Sequence, residues 1–238
     1  MNEAVLQLHQ MIGQAQNIVF FGGAGVSTES GIPDFRSAHG LYAGAHGMSY
    51  EDMLSSGYFR AQPDKFWAFY KQVMLYPAAK PNAAHYALAK LEKQGKLKAV
   101  LTQNIDGLHQ AAGSKKVWEL HGTVHQNFCM DCGRCYDLAY VLGQEGTPHC
   151  RKCGGMLRPG IVLYGEPLDE VVMKEAVRAI QNCDLLIVGG TSLVVYPAAG
   201  LIRYRRPRTP LVLINRDETP YDREAQLVLH ENIAQVWE

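Results

Sequence analysis

No stretch of this chain approaches the roughly 20 consecutive apolar residues needed to cross a bilayer. The longest early run, Ile18 to Val26, is short and carries three glycines. An excess of charge is also missing, since 23 Lys and Arg stand against 23 Asp and Glu in 238 residues. That balance argues against the chain-wide basic surface that nucleic acid would need, and against an acidic tail. The N-terminal MNEAVLQLHQ has neither the basic start nor the cleavage site of a signal peptide. A soluble, cytoplasmic protein is expected, with no membrane and no direct nucleic-acid partner. There is no internal repeat and no low-complexity tract. Cysteine is scarce, but four of the six fall in two C-x-x-C pairs. In a reducing compartment that arrangement points to metal or redox chemistry rather than to disulfides. Apolar residues make up 47% and charged residues 19%, the proportions of a folded globular chain. The length suits one large domain, or one domain with an insertion.

Val5, Leu8, Ile12 and Ala15 follow helical spacing. The segment NIVFFGG from Asn17 then reads as a buried strand running into a glycine-rich turn. Asn82 caps a helix, NAAHYALAKLEKQG, that stops at Gly95. Strands follow at LKAVLTQN and VWELHG, a helix at DEVVMKEAVRAIQN and a strand at DLLIVGG. TSLVVYPAAGLIRYRR reads as a further helix, and TPLVLIN and AQLVLH close the chain as strands. The strands alternate with helices and are continuous apolar runs. An α/β fold is therefore expected, a parallel sheet with helices on both faces. Two stretches break the alternation, His39 to Pro81 and Thr123 to Pro159, and read together as a smaller lobe. In the first, Phe66, Phe69, Tyr70, Val73 and Met74 form a helical stripe that reads as helix core.

Three constellations carry chemistry. A strand ending in Gly23-Ala24-Gly25 lets a phosphate approach the backbone. Thr28 stands where a third glycine of G-x-G-x-x-G would be, and no acidic residue ends a strand about 20 residues on, which argues against hydride transfer. Cys129, Cys132, Cys150 and Cys153 have zinc-ribbon spacing, with Gly133 and Gly154 following the pairs. Cys135, His125 and His149 remain alternative ligands, and two redox pairs an alternative use. Four thiolates would close the metal's coordination, so such a site is structural. Third, Gln103, Asn104 and Asp106 crowd the end of one strand, and His121 ends the next. Loop capping by Asn104 and Asp106 is the alternative there. A histidine at a strand's carboxyl end suits a general base. The Arg203, Arg205, Arg206 and Arg208 cluster reads as a solvated helix end, and Cys183 as a small buried hydrophobe.

GAGVSTESGIPDFRS, TQNIDGLH, HG, the paired C-x-x-C, RPGIVLYGE and GTSLVVYPAA occur in this order. The chain thereby resembles the sirtuins, NAD-dependent protein-lysine deacylases, in their bacterial catalytic-core form. The resemblance implies a Rossmann-like NAD-binding domain from 1–38, 82–123 and 160–238. It also implies a helical module with the cofactor loop at 39–81, and a zinc ribbon at 124–159 held by Cys129, Cys132, Cys150 and Cys153. Gly23, Ala24 and Thr28 would meet the NAD phosphates, and Asp34, Phe35 and Arg36 would form the cofactor loop. Gln103 and Asn104 would contact the ribose, and Ile105 and Asp106 the nicotinamide carboxamide. Gly190, Thr191 and Ser192 would take phosphate or ribose, Asn215 the adenosine ribose and Asn232 the adenine end. The acyl-lysine peptide would add as a strand between Gly165-Glu166 and Val194 to Tyr196, with Val162 and Tyr164 walling the lysine tunnel. His121 would deprotonate a ribose hydroxyl, assisted by Asn104, giving nicotinamide, O-acyl-ADP-ribose and free lysine.

Three departures stand out. Tyr164 replaces a common Phe, and Asn232-Ile233 a common Asp-Val. Val73 stands where succinyl-removing sirtuins place Arg, so a preference for acetyl or longer apolar acyl groups is expected. Mono-ADP-ribosyl transfer and non-catalytic NAD sensing are the alternatives. The intact HG and apolar tunnel argue against the first, and the presence of Asn104 and His121 against the second.

Overall fold

The computed structural model describes residues 3–34 and 48–237. Phe35 and Arg36, expected in the cofactor loop, lie outside the described residues. Helix α1 (Glu3–Gln14) leads into strand β1 (Ile18–Gly22). Helices α2 (Tyr50–Met53), α3 (Ser56–Ala61), α4 (Pro63–Val73) and α5 (Ala83–Lys93) precede β2 (Leu97–Thr102), the short α6 (Leu108–Ala111) and β3 (Val117–Glu119). Next come β4 (Gly122–Cys129), β5 (Cys135–Tyr136), α7 (Leu138–Leu142), β6 (Leu157–Ile161), α8 (Glu170–Asn182) and β7 (Leu185–Gly189). β8 (Leu211–Ile214), β9 (Leu227–Leu229) and α9 (Ile233–Val236) complete the order.

The main sheet has six strands in the order β3-β2-β1-β7-β8-β9, every pairing parallel. Its strands read as unbroken apolar runs because both faces are covered. Ile18 and Phe20 of β1 point into one core with Leu8, Leu88 and Ile233, from α1, α5 and α9. Val19 and Phe21 point into the other, with Ala176 and Ile180 of α8 and with Ala198 and Leu201. Alternation of side chains along a strand thus supplies two apolar layers from one run. Several helices are started by a side-chain cap. Asp169 accepts from the Val171 and Val172 N–H groups at α8, and Asn82 caps α5 as expected.

The chain turns from β1 to β2 and β3 on one side, then returns through β7 on the other. The strand order therefore reverses between β1 and β7, and the crevice beyond their carboxyl ends is the place where such sheets bind ligands. The backbones meet closely there. The Gly25 N–H donates to the Gly190 carbonyl at 2.8 Å, and a Cβ built on Gly25 would lie 2.7 Å from Gly190 Cα. Only glycine fits that contact.

The second sheet is antiparallel, in the order β5-β4-β6. It shares a core with α3 and α4, in which Phe66 stacks on Tyr70 at 5.5 Å and meets Trp67 edge-on. Of the expected stripe, Phe66 and Tyr70 are buried helix core and Phe69 and Met74 pack partly against it, whereas Val73 is half-buried outside that core. One expectation fails. The segment TSLVVYPAAGLIRYRR is not a helix throughout; only Ala198–Tyr204 coil, as a 3-10 turn. Leu193 adopts a left-handed φ of 55°, and Pro197 disfavours helical backbone at the residue before it. The apolar residues nonetheless pack on the sheet, which is why their spacing imitates a helix.

Candidate active site

A cavity of about 560 Å³ opens at the β1/β7 crevice and runs to the edge of the smaller sheet. It brings together Gly23, Ala24, Asp34, Gln103, Asn104, Ile105, Asp106 and His121 with Gly190, Thr191, Ser192, Asn215 and Asn232. Val162, Tyr164, Gly165, Glu166 and Tyr196 line its other part. Thr28 and Val194 are not on the wall: Thr28 donates its hydroxyl to the Gly25 carbonyl at 3.1 Å, and Val194 is exposed. The first group comes from the six strand ends of the parallel sheet, which delivers every carboxyl terminus to one edge, and Val162 to Glu166 follow β6 of the smaller sheet.

His121 follows β3, and Gly122 takes a left-handed φ of 73° immediately after it. A side chain at Gly122 would run into the Gly160 carbonyl, so the sharp turn that aims His121 requires glycine. The His121 Nδ1 lies 3.0 Å from the Gln103 carbonyl oxygen. A carbonyl only accepts, so Nδ1 carries the proton and Nε2 keeps its lone pair. Burial pulls this imidazole below its ordinary value, an effect the Gln103 bond partly opposes. The ring is therefore neutral at pH 7, with a basic nitrogen available to the cavity.

Asn104, buried, donates from Nδ2 to Ser27 Oγ at 3.1 Å. Ser27 in turn donates to Asp106 Oδ2 at 2.7 Å, and Asp106 Oδ1 accepts from the Leu108 N–H, starting α6. Asp106 thus caps a turn and ends a polar chain, as its capping reading expects, whereas the Asn104 amide is directed at Ser27. Gln103 Nε2 reaches across β1 to Thr191 Oγ1 at 3.0 Å. Ser27 went unassigned in the sequence, although it stands between Ala24 and Thr28 in the same glycine-rich run. Glu166, expected at the peptide, has its carboxylate engaged by Arg158 at 3.0 Å and by the Leu163 N–H. It shapes the loop.

Two histidines sit under the α6 turn. His85 and His109 are fully buried, with ring centroids 4.7 Å apart. Burial lowers His85 to about 4, against a partial pull upward from Asp106, and burial with the His85 neighbour lowers His109 to about 3. Each is neutral when folded and protonates near pH 6.5 when unfolded. Below pH 6.5 the unfolded chain binds more protons, so stability falls with pH down toward these values. At pH 5.5, proton uptake on unfolding should drop by about one in His109→Leu. Calorimetry in buffers of different ionisation heat measures it; an unchanged uptake would contradict the burial argument.

The Sγ atoms of Cys129, Cys132, Cys150 and Cys153 lie within 4.8 Å of one another. Cys129 and Cys153 are 3.4 Å apart, and Cys132 and Cys150 are 3.7 Å apart. Ligands ~2.3 Å from a tetrahedral zinc stand ~3.8 Å apart, so the four thiols fit the metal. The alternative ligands fall outside this group. His149 Nδ1 bonds the Gly154 carbonyl, and His125 Nε2 bonds the Asp106 carbonyl, both at 3.0 Å. Tyr136 places its hydroxyl 2.9 Å from Cys150 Sγ, a contact with no signal in the sequence.

A model of the Sir2 family matches residues 23–197. A Clostridium acetobutylicum protein named NAD-dependent protein deacetylase is 56% identical over 99% of this chain and 97% of its own. A protein of the same name from Clostridium tetani is 57% identical over 96% and 94%. Among solved structures, a Sir2 variant with a deacetylated p53 peptide and 3′-O-acetyl ADP ribose superposes with a TM-score of 0.89. It is 38% identical, covering 98% of this chain and 95% of its own. A Sir2 enzyme bound to a propionylated peptide gives 0.86 at 38% identity, with coverage of 98% and 95%.

Proposed function

This chain belongs to the Sir2 family, and from that premise we propose that it is an NAD-dependent protein deacylase with His121 as its general base. The observation that carries the reading is the His121 Nε2 lone pair, fixed by the Nδ1 bond to Gln103 and facing the cavity that Asn104 and Asp106 also line. NAD, when bound, supplies the electrophilic anomeric carbon and leaves as nicotinamide and O-acyl-ADP-ribose. The chain's residues do the rest. The bare backbone at Gly23 to Gly25 receives the phosphates, with Thr191 and Ser192 beside them. Gln103 and Asn104 orient the ribose, and Ile105 and Asp106 hold the carboxamide. Asn215 and Asn232 take the adenosine end, and Asp34, paired with Arg216 at 3.1 Å, stands on the wall. The acyl-lysine of a protein or peptide enters past Val162, Tyr164, Gly165 and Tyr196. His121 accepts the ribose hydroxyl proton at Nε2. Four thiolates leave zinc no open position, so it activates no water. Metal-directed thiols need a reducing compartment, which supports a cytoplasmic enzyme.

The test is incubation with NAD and an acetyl-lysine peptide, following nicotinamide and O-acetyl-ADP-ribose by mass spectrometry. Absence of both products would sink the reading. The apolar wall of Leu54, Val73, Met74 and Leu163 favours acyl transfer over ADP-ribosylation of a protein nucleophile.

That wall also sets the acyl group. Val73 and Met74 line the cavity, and Tyr70 behind them is fully buried. No cation stands at position 73 to pair a succinyl carboxylate, and an unpaired buried carboxylate costs several kcal/mol. Turnover on one peptide, compared as kcat/KM, should favour acetyl over succinyl by at least about a hundredfold. Faster succinyl removal would overturn this.

A further inference from the structure

The helix cap that the sequence shows at Asn82 has a second role on the far side of its amide. Asn82 Oδ1 accepts from the Ala84 N–H at 3.0 Å, and its own N–H donates to His85 Nδ1 at 3.2 Å, completing a capping box for α5. The first bond uses the side-chain carbonyl and the second the backbone N–H. The Nδ2 end leaves the helix, donating to the Val26 carbonyl at 2.8 Å and to Ser30 Oγ at 3.0 Å. Val26 closes one 3-10 turn and Ser30 the next. Ser27 lies between them, and its hydroxyl joins Asn104 to Asp106. Both donors of one amide therefore straddle the hinge of the cofactor-facing turn.

The mounting is rigid. α5 buries Ala84 and Leu88 in the core under the sheet. Its His85 ring lies against His109 of α6, the helix that Asp106 starts. One helix thus supports both ends of the Ser27–Asp106 bond: Asn82 holds the serine side, and His85 through His109 holds the aspartate side. Asn82 does not line the cavity, so it acts through Ser27.

We propose that Asn82 is a positioning residue for NAD, its Nδ2 donors fixing the Ala24–Ser30 segment so that Ser27, Asn104 and Asp106 keep one arrangement in the cleft. This rests on the deacylase reading above. The discriminating variant is Asn82→Asp. Aspartate caps helices about as well as asparagine, so a residue that only caps would tolerate it. Aspartate loses both Nδ2 donors and sets a carboxylate oxygen against the Val26 carbonyl.

The expected result is an NAD KM raised by about tenfold, the scale of two lost neutral hydrogen bonds. The acyl-peptide KM should stay within about twofold and the melting temperature within a few degrees of wild type. The milder Ser30→Ala removes one acceptor, leaves the cap intact and should raise the NAD KM by about threefold. An NAD KM unchanged in Asn82→Asp would overturn the proposal. So would equal rises in both KM values, which would mark a general loss of folding. Should Asn82→Asp not fold, calorimetric NAD binding to Ser30→Ala decides, and an unchanged Kd would overturn it. Wild-type enzyme that releases no nicotinamide would instead overturn the deacylase reading. An active wild type beside an indifferent Asn82→Asp removes only this proposal.

Discussion

His121→Ala should lower deacetylation at saturating NAD and peptide by about 10²–10⁴-fold, the contribution of a positioned general base. The loss should fall on turnover and leave stability largely alone. The ring is half-buried, and its side chain makes one hydrogen bond, to the Gln103 carbonyl. The effect should also be confined to one half of the reaction. In the proposed mechanism, cleavage of the nicotinamide bond draws on the pocket of Asn104, Ile105 and Asp106, whereas proton removal from the ribose draws on Nε2. The variant should therefore still exchange labelled nicotinamide into NAD while forming little O-acetyl-ADP-ribose. Burial lowers the His121 pKa, so this base stays neutral further into acid than an ordinary imidazole and its protonation lowers activity on the acid side. A variant with undiminished product, or one whose exchange disappears in step with its product, would remove His121 from this role.

His121 stands out in the sequence for a physical reason that extends to the whole large sheet. A parallel strand covered on both faces must be apolar throughout, so a polar residue at its carboxyl end is an exception that needs a ligand or partner. Gln103, Asn104, Asp106 and His121 were visible by that contrast. The cysteines were visible because zinc fixes ligand spacing along the chain. What stayed hidden depends on contacts between distant segments. Asn82 shows itself only as a helix cap, because the Val26 and Ser30 groups it holds lie far away in sequence. Tyr136 looks like any aromatic until Cys150 folds back against it. Glu166 reads as a substrate contact from its motif, and only the Arg158 bond shows that its carboxylate is already engaged. The smaller sheet was nearly invisible for a different reason. β5 has only two residues, the β6 sequence is interrupted by Pro159 and Gly160, and the order of 123–159 rests on cysteines as much as on apolar periodicity. The same limit explains the overlong helix at TSLVVYPAAGLIRYRR, where burial against the sheet produced helical spacing without helical backbone.

Zinc removal should abolish activity although the metal touches no substrate. Structural zinc binding contributes about 10–16 kcal/mol at neutral pH, as large as the whole stability of a typical domain. Cys129 and Cys150 are themselves part of the smaller core, packed with Tyr136, Leu138 and Val141. That core reaches the site directly. Val124, Leu138 and Ile161 line the cavity, and the Val162 N–H donates to the His121 carbonyl at 2.9 Å. β4 begins at Gly122, beside His121, the proposed base. Cys150→Ser should therefore carry little zinc, be cut by protease within 123–159, and lose at least about a hundredfold in activity. Chelated wild type should lose activity and regain it on zinc addition. Full activity in zinc-free protein would overturn the structural role. Tyr136→Phe separates metal retention from folding. The phenol is placed to donate to the Cys150 thiolate, and an outer donor of this kind typically changes metal affinity by about 10–100-fold. The variant should release zinc to a chromophoric chelator correspondingly faster while keeping near wild-type turnover when loaded. Release at the wild-type rate would show that the backbone N–H groups of Cys132 and Lys152, which also reach the sulfurs, are enough to hold the thiolates.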